Sequence, residues 1–267
     1  MSKDVLSIAV DIGNTNINIG LFKGTTLIDR CDYLTKKVNA SFDAVEETIA
    51  SFLNKHPEFK HADGALIGSV VPSLTRLMEI FINHVANVES KVLTFDMYKD
   101  LKMKIDNPHE VGADLIAGIV GALTLYKCPC VIADLGTVSK FLVVDKDGAF
   151  IGASFTPGLR SAFDALNDST ALLPSLEDIG ATDNDTPPAL YGKNTVDCMK
   201  SGIYWTCVYS VETMLNKCKE SLGKDALRIV TGGYSSFIAK GLSDKEIIVD
   251  PDLVLKGLNN LYLKNCR

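Results

Sequence analysis

The sequence predicts an α/β fold made of two similar halves, and three observations carry that prediction. A segment that begins at Cys130 can be written beneath the one that begins at Ser7, since both run from an apolar strand through Asp-Ile-Gly or Asp-Leu-Gly into two further strands. The two aspartates, Asp11 and Asp134, lie 123 positions apart in a chain of 267 residues. Short apolar runs then alternate with helix-length patterns in both halves.

Two interpretations of this repeat are open at this point. Strand–turn–strand units can resemble one another by chance, because hairpins reuse the same turn residues. Alternatively, the chain contains a duplicated domain, which would place a cleft between the halves. The spacing, close to half of the chain, favours duplication.

The first half begins with a three-stranded meander. The apolar run at 5–10 ends at Asp11, the next strand alternates polar and apolar residues, and a Lys-Gly turn at 23–24 leads into the third. Apolar residues at helical spacing after Ser41 predict a helix, and Pro72 stops a buried strand. The predicted elements are strands 5–10, 16–22, 25–34, 65–71 and 91–95 and helices 41–54, 73–87 and 112–126.

The second half repeats this order. The apolar strand that starts at Cys130 opens a second meander, and Pro157-Gly158 precedes a helix over 158–168. The stretch 169–192, rich in Pro and Asp, is predicted to be a long loop and a candidate lid over a substrate. The remaining predicted elements are helix 195–222, strands 228–233 and 246–250, and a final helix from about 252.

Length and composition limit the classes of protein to which this chain can belong. Its 267 residues fit two domains, which the repeat places at 1–126 and 127–267, and a hydrophobic content of 46% supplies their cores. With 27 basic and 33 acidic residues, the net charge of −6 makes nucleic acid and anionic membranes poor partners. The longest uncharged stretches, of which 115–126 is one, are 12 residues, below the length of a bilayer span.

Cysteine usage indicates a reducing compartment. The seven cysteines are odd in number, scattered, and never spaced as CxxC. That pattern favours free thiols over a disulfide framework or a zinc site. The N-terminal apolar run is interrupted by Asp11 and is too short for a signal peptide. We therefore expect a cytoplasmic protein.

The turns that follow two buried strands have the composition of a phosphate–metal site. Asp11-Ile12-Gly13-Asn14-Thr15 and Asp134-Leu135-Gly136-Thr137 each place a carboxylate at a strand end, with Gly and hydroxyl or amide residues behind it. Gly lets the backbone approach a phosphate, Thr and Asn donate hydrogen bonds, and Asp can orient Mg²⁺ or its waters. Thr231-Gly232-Gly233 follows a third apolar strand and could lie beneath a nucleotide. Without a Walker A or GxGxxG sequence, P-loop and Rossmann binding are disfavoured.

Asp114 has two interpretations. It stands at the start of a predicted apolar helix, directly after Gly112 and Ala113. A carboxylate there can cap the free amides of the helix N-terminus. It can also serve as the general base towards an alcohol that receives a phosphoryl group. The four histidines form no HxH or HExxH pair, and no Ser lies in a GxSxG elbow, which disfavours metal–histidine and serine-hydrolase chemistry.

Taken in order, the motifs of this chain resemble those of type III pantothenate kinases. The matching segments are DIGNTNINIGLF at 11–22, GSVVP at 68–72, NPHEVGAD at 107–114, DLGT at 134–137, TPGL at 156–159, GKNT at 192–195 with Ser201-Gly202, and TGG at 231–233. The resemblance implies an α/β fold of duplicated ribonuclease-H-like (actin-like ATPase) domains with a central cleft. It also implies ATP-dependent phosphorylation of pantothenate to 4'-phosphopantothenate, the first step of coenzyme A biosynthesis, by a cytoplasmic homodimer that uses Mg²⁺ and a monovalent cation, K⁺ or NH₄⁺.

The resemblance further implies roles for individual residues. Asp114 falls on the proposed general base of the family. The first phosphate loop is matched by Asp11, Gly13, Asn14 and Thr15, and the second by Gly136 and Thr137, with Gly232 at the nucleotide and Asp134 at the metal ion. Substrate contacts fall on Gly112, Ala113 and Thr195, the last of which reaches the site of the dimer partner.

Three departures from the family pattern concern its substrate side. Where the family usually has Arg after Gly-Ala-Asp, this chain has Leu115, and a Tyr before the Asn-Pro is matched by Ile105. The stretch after DLGT, usually Ala-x-Thr with a later Asp, is here Val138–Leu142. Loss of a guanidinium removes the fork of donors that holds a carboxylate, although Lys140 or Arg160 could replace it. Two alternatives therefore stay open, namely a kinase for another small alcohol and a nucleotide-binding accessory or regulatory paralogue without catalysis.

Overall fold

The computed structural model describes residues 5–36, 42–170, 172–174 and 186–266 and separates the chain into two compact units. Unit 1 comprises Met1–Tyr126 and Leu253–Arg267, and unit 2 comprises Lys127–Asp252. Each unit is an α/β domain built on one five-stranded sheet.

The strands of unit 1 are β1 (Leu6–Ile12), β2 (Asn16–Lys23), β3 (Thr26–Leu34), β4 (Gly64–Ser69) and β5 (Ser90–Val92). They form a sheet in the order β3-β2-β1-β4-β5. The central strand β1 pairs antiparallel with β2 and parallel with β4. Its apolar run is buried on both faces, as a central strand requires, whereas the edge strand β3 is half-exposed along its length.

Helices cover both faces of this sheet. The helices that precede residue 126 are α1 (Phe42–Asn54), α2 (Pro72–Ala86) and α3 (Ala113–Leu125). Ile8 and Val10 of β1 pack in one apolar cluster with α1 and α2, while Ala9 packs in a second cluster that contains Ile116 of α3. Because successive residues of a strand face opposite sides, Asp11 lies on the α3 side of the sheet together with Ala9.

The strands of unit 2 are β6 (Cys130–Leu135), β7 (Val138–Val144), β8 (Phe150–Pro157), β9 (Leu227–Thr231) and β10 (Ile248–Val249). Its helices are α4 (Leu159–Asp168), α5 (Thr195–Leu222) and α6 (Ser235–Ala239). The sheet has the order β10-β9-β6-β7-β8, with β6 antiparallel to β7 and parallel to β9. Val131 and Ala133 of β6 pack against α5, which leaves Asp134 on the opposite face.

The two sheets have the same topology. Strands β6 to β10 repeat, one for one, the order and the pairing directions of β1 to β5. A chance likeness of two hairpins would not extend to five strands and two crossovers. The predicted fold class, a duplicated α/β domain, is therefore confirmed.

The last helix, α7 (Leu253–Asn265), differs from the expected domain division, because the sequence pattern assigned residues 253–267 to the second half. Its apolar face, with Leu255 and Leu258, joins the cluster on the α3 side of the unit 1 sheet. Asn259 accepts a hydrogen bond from Ser7 Oγ over 2.6 Å and donates one to the Gly24 carbonyl over 2.9 Å. The chain thus returns to unit 1 because that face of the sheet needs a second helix.

Smaller differences concern element ends. The strand predicted at 91–95 is the shorter β5, and a 3-10 turn at Phe95–Met97 follows it. The expected helix start at Ser41 and the central part of the candidate lid, 175–185, lie outside the described residues. Within the described ranges, no helix combines the length and the apolar character needed to cross a bilayer.

Gly257 in α7 provides a test of this helix packing. A Cβ at Gly257 would overlap the carbonyl oxygen of Ala117 in α3. Overpacking of this kind costs about 1–3 kcal/mol, so Gly257→Ala should lower the free energy of unfolding by that amount. The midpoint of urea unfolding, followed by circular dichroism, measures the change.

Gly118→Ala is the matched control, because it adds the same methyl group to the same helix pair. The nearest atom to that methyl, Cγ2 of Val254, is 4.0 Å away. Since Ala is the better helix former, this variant should be unchanged or more stable by up to about 1 kcal/mol. Equal midpoints for the two variants would contradict the close approach of α3 and α7.

Candidate active site

The turn between β1 and β2 is held in place by hydrogen bonds to its own backbone. The Gly13 N–H donates to the Asn16 carbonyl over 2.9 Å. Thr35 donates its Oγ1 to the Gly13 carbonyl and its N–H to the Thr15 carbonyl, each over 2.8 Å. Asn14 stands exposed at the tip. The Gly13 and Thr15 carbonyls are therefore occupied by hydrogen bonds from within the domain. This geometry lets the backbone amides at the tip of the turn face an anion in solvent.

Asp11 lies just before this turn and pairs in register with Asn18 of β2. The Asn18 amide donates to Oδ2 of Asp11 over 3.0 Å. An amide is neutral, so this contact orients the carboxylate and leaves its negative charge in place. Asp11 is only partly buried, which keeps it within reach of a cation.

Asp114 occupies the second position of α3, next to the end of β1. Its Oδ1 accepts the N–H of Leu115 over 2.8 Å, and a Cβ at Gly112 would lie 2.7 Å from that oxygen. The same Cβ would lie 3.4 Å from Cγ1 of Val70, whose N–H donates to the Ile12 carbonyl over 3.0 Å. This chain of contacts places Asp114 at the edge of the sheet where Asp11 also lies.

The segment before α3 is ordered by its own side chains. The Asn107 side chain accepts the N–H of His109 over 3.2 Å, and the ring of His109 lies on Phe95 with centroids 4.3 Å apart. Ala113, the first residue of α3, is half-buried. Of the positions that depart from the family pattern, two lie in or beside this segment: Leu115 is 9% exposed and Ile105 is half-buried. Neither supplies a charge for a carboxylate.

In unit 2, the turn after β6 is fixed by the start of α4. The Thr137 carbonyl accepts the N–H of Gly158 over 2.9 Å and the Oγ of Ser161 over 2.7 Å. A Cβ at Gly158 would overlap the Gly136 carbonyl oxygen. The TPGL motif thus serves as the platform of the turn, a role for Gly158 and Ser161 that the sequence did not reveal.

The loop after β9 packs on the same turn. Gly232 has a φ of +91°, and a Cβ there would lie 2.6 Å from Oδ1 of Asp134. The N–H of Tyr234 donates to the Leu135 carbonyl over 3.1 Å, and Ser235 Oγ donates to the Gly232 carbonyl over 2.6 Å. Only Gly allows this approach without strain, so the TGG motif has a steric reason.

Asp134 forms an ion pair with a lysine of the same hairpin. Lys140 is its register partner on β7, and the Lys140 Nζ lies 3.1 Å from Oδ2 of Asp134. The two side chains are 20% and 13% exposed, respectively. On β9, the register partner of Asp134 is Thr231, whose buried Oγ1 has no hydrogen-bond partner among the described residues. A hydroxyl is neutral, so Asp134 and Lys140 set the charge of this group.

That pairing conflicts with the predicted metal site at Asp134. A second monovalent cation at about 4 Å from the Lys140 ammonium would be repelled by about 4 kcal/mol at an effective dielectric constant of about 20. In the ranges that the structure describes, no three His, Cys, Asp or Glu residues cluster to enclose a metal ion. A divalent ion would therefore be held by one or two carboxylates together with the phosphates of a ligand, and Asp11 fits that description better than Asp134.

Thr195, the third predicted substrate position, lies at the start of the long helix of unit 2. It is the exposed first residue of α5, and Asn194 caps the helix by accepting the N–H of Asp197 over 2.9 Å. The Trp205 Nε1 donates to the Pro188 carbonyl over 3.1 Å, which fixes the approach to the helix. The Ser201 Oγ donates to the Leu190 carbonyl over 2.6 Å, so these hydrogen bonds join residues within the 188–205 segment.

Three of the cysteines, Cys31, Cys130 and Cys207, are poor candidates for nucleophilic chemistry. Burial raises the pKa of Cys31 and of Cys130 to about 12, and that of Cys207 to about 11. A thiol that stays protonated at neutral pH is a poor nucleophile. The chemistry of the site therefore falls to carboxylates, hydroxyls, backbone amides and Lys140.

Comparisons with known proteins agree with this picture. The family model for type III pantothenate kinase matches residues 7–217. A type III pantothenate kinase of Dehalococcoides mccartyi is 34% identical over 261 residues, 97% of each chain. One from Acholeplasma laidlawii is 35% identical over 260 residues, covering 97% of this chain and 99% of its own.

Solved structures with a similar fold are much more distant in sequence. The ethanolamine utilization protein EutJ from Carboxydothermus hydrogenoformans has a TM-score of 0.53 at 14% identity, over 97% of this chain and 90% of its own. The (R)-2-hydroxyglutaryl-CoA dehydratase component A of Acidaminococcus fermentans has a TM-score of 0.50 at 14% identity, over 97% of each chain. At such identities the likeness shows a shared actin-like ATPase fold and nothing of function.

Two glycines of the unit 2 turn provide a test of its construction. Gly158→Ala drives a methyl group into the Gly136 carbonyl, so it should displace the turn, weaken ADP binding and lower the free energy of unfolding by about 1–3 kcal/mol. Gly136→Ala places its methyl 3.8 Å from the nearest atom, the Val138 carbonyl oxygen, and should leave stability unchanged. Thermal unfolding and calorimetric ADP titration measure both effects. Wild-type stability and ADP affinity in Gly158→Ala would refute the platform role of α4.

Proposed function

The chain belongs to the type III pantothenate kinase family, and from this premise we propose which of its residues carry out the reaction. It phosphorylates pantothenate with ATP in coenzyme A biosynthesis. The reaction moves the γ-phosphoryl group of ATP to the primary hydroxyl of pantothenate. It requires a base for the hydroxyl proton and donors for the charge that spreads over the phosphoryl oxygens.

Asp114 is the proposed general base. The observation that supports it most is the contact chain from Gly112 through Val70 to Ile12, which holds Asp114 beside the strand end that carries Asp11. From there its carboxylate would accept the hydroxyl proton as the oxygen attacks phosphorus. Its hydrogen bond with the Leu115 N–H does not compete with that role, because a carboxylate accepts more than one hydrogen bond.

The phosphate groups are assigned to the turns of both units. In unit 1, the backbone amides at Asn14 and Thr15 would bind phosphate oxygens, while Gly13 shapes their turn because its N–H donates to the Asn16 carbonyl. In unit 2, the backbone amides at Gly136 and Thr137 would bind phosphate oxygens, with Gly232 beneath the nucleotide. The inward hydrogen bonds of both turns support this assignment, because they fix the turns before a ligand arrives.

An ATP-dependent kinase uses a divalent metal with its nucleotide, and we assign Mg²⁺ to Asp11. When bound, Mg²⁺ neutralises the phosphates and supplies electrostatic stabilisation of the transferring group. Asp11 can hold the ion or its waters because its neighbour Asn18 is neutral. Asp134 does not fit a metal ion, and no step is assigned to a monovalent cation there.

Pantothenate itself is assigned to Gly112 and Ala113 at the start of α3, and to Thr195 supplied by a second copy. Thr195 is exposed at the start of α5, with exposed Tyr191 close before it in sequence. A hydroxyl in that position is open to another protomer, which supports a homodimer. Free thiols and an acidic surface are consistent with the cytoplasm.

None of the three described positions considered for the carboxylate end of pantothenate, 115, 140 and 160, offers it an unengaged cation. Leu115 replaces the usual Arg and is buried, Lys140 is engaged by Asp134, and the Nε of Arg160 lies 3.7 Å from Asp164. We therefore propose a substrate pocket that recognises the hydroxyl and amide parts of the substrate more than its carboxylate. Activity on other small alcohols is the second candidate function, and it is favoured by Leu115 and Ile105.

Asp114→Asn tests the general base. The amide cannot accept the proton, so kcat should fall by about 10²–10⁴-fold while ATP affinity is unchanged. Pantothenate-dependent ADP release measures kcat, and calorimetry measures ATP binding. Asp106→Asn is the control, since it removes an exposed carboxylate from the same segment. Full turnover in Asp114→Asn would contradict the general-base role and leave Asp114 with only a helix-capping role.

A comparison of pantothenate with panthenol, in which a hydroxymethyl group replaces the carboxylate, tests the pocket. A carboxylate bound by a buried ion pair would favour pantothenate by about 30-fold or more. Because Leu115 supplies no such pair, the two values of kcat/KM should differ by less than about tenfold, close to one hydrogen bond. Stronger discrimination would mean that another cation holds the carboxylate.

A further inference from the structure

We propose that the Lys140 ammonium takes the place of the monovalent cation at Asp134, so that this kinase works without K⁺ or NH₄⁺. The inference deepens the proposed function and rests on it. It comes from the unit 2 hairpin, where a charged lysine lies directly opposite the aspartate that the sequence assigned to a metal ion.

The geometry gives the ammonium a defined place. Lys140 Nζ lies 3.1 Å from Asp134 Oδ2, a hydrogen-bond distance, and both side chains are mostly buried. Register pairing across β6 and β7 puts the two residues on the same face of the sheet. The lysine side chain ends in the same group as NH₄⁺, so it brings an ammonium ion to the carboxylate on a covalent tether.

The other hairpin of the chain provides an internal comparison. Asp11 in β1 has Asn18 as its register partner, and Asp134 in β6 has Lys140, at corresponding places in two sheets of the same topology. The amide leaves the Asp11 carboxylate negative, whereas the ammonium neutralises the Asp134 carboxylate. A charged residue at this place is therefore not a requirement of the fold, because the duplicate does without it.

The position of the pair connects it to the nucleotide turn. Oδ1 of Asp134 lies against Gly232, which is next to Thr231, the buried partner of Asp134 on β9. On the other side, Leu135 leads directly into the turn at Gly136 and Thr137. An ammonium held at Oδ2 would keep the Asp134 side chain, and with it the turn at Gly136 and Thr137, in one conformation. That is the task a bound cation would otherwise perform.

The experiment compares wild type with Lys140→Met, which keeps the length of the side chain and removes its charge. Pantothenate-dependent ADP release is measured with Mg²⁺ and ATP in tetramethylammonium chloride, and again in KCl and NH₄Cl at the same ionic strength. Wild type should show equal rates in all three salts. Lys140→Met should lose about 30-fold or more in tetramethylammonium, the effect expected for a buried charge pair, and should recover in KCl or NH₄Cl.

Two controls accompany this comparison. Lys146→Met removes an exposed lysine from the next turn and should behave as wild type. Lys140→Arg keeps the charge and should remain independent of K⁺. If Lys140→Met folds poorly, its melting temperature in KCl against tetramethylammonium chloride gives the answer, because a cation that binds beside Asp134 stabilises the variant and not the wild type.

A binding readout separates this inference from the proposed function. The affinity for ADP is measured by calorimetry in the same salts, and it should depend on K⁺ in Lys140→Met only. If wild type turns over no pantothenate in any salt, the kinase assignment fails, and the ADP affinities still decide the role of Lys140. Saturable stimulation of the wild type by K⁺, or a Lys140→Met variant that K⁺ does not restore in rate or in ADP affinity, would overturn the inference.

Discussion

The candidate site depends on a constraint that acts on the two central strands. Both β1 and β6 are buried on both faces, so a carboxylate is tolerated only where the strand leaves the core. Asp11 and Asp134 occupy that place, and a glycine two residues later lets the chain turn back. The buried hydroxyl that precedes Asp11, Ser7, is matched by Asn259 of the last helix. Burial of the strands thereby positions both carboxylates at the ends of the two sheets.

With the positions fixed by the fold, the partner across each hairpin decides the chemistry. Asn18 orients Asp11 without cancelling its charge, and Lys140 cancels the charge of Asp134. A bound divalent ion needs net negative charge from the protein or its ligand, so the two carboxylates cannot serve the same purpose. The repeated topology therefore offers two equivalent places, and the residue opposite each aspartate, Asn18 or Lys140, gives them different charges.

The strands, their succession along the chain and the two turns could be predicted from the sequence, because central strands and hairpin turns are encoded locally. The location of α7 could not, since helical periodicity shows that a face is buried but not which sheet covers it. The close packing at Gly158 and Gly257 could not be predicted for a related reason, because both glycines contact residues that are distant along the chain. The pairing of Lys140 with Asp134 could have been predicted from the sequence. The short turn at 136–137 fixes a hairpin register that places the two residues opposite each other.

The start of α3 explains how the proposed substrate pocket can differ from the family pattern while the proposed base, Asp114, keeps its position. Asp114 is positioned by backbone and small-residue contacts, since Gly112 lies against Val70 and Val70 is bonded to the end of β1. None of these contacts involves the side chain at 115. An Arg could therefore be replaced by Leu115, which is buried, without moving the carboxylate beside it. In the proposed mechanism, recognition of the substrate's carboxylate and removal of its hydroxyl proton are thus separable, because one depends on a side chain and the other on the course of the backbone.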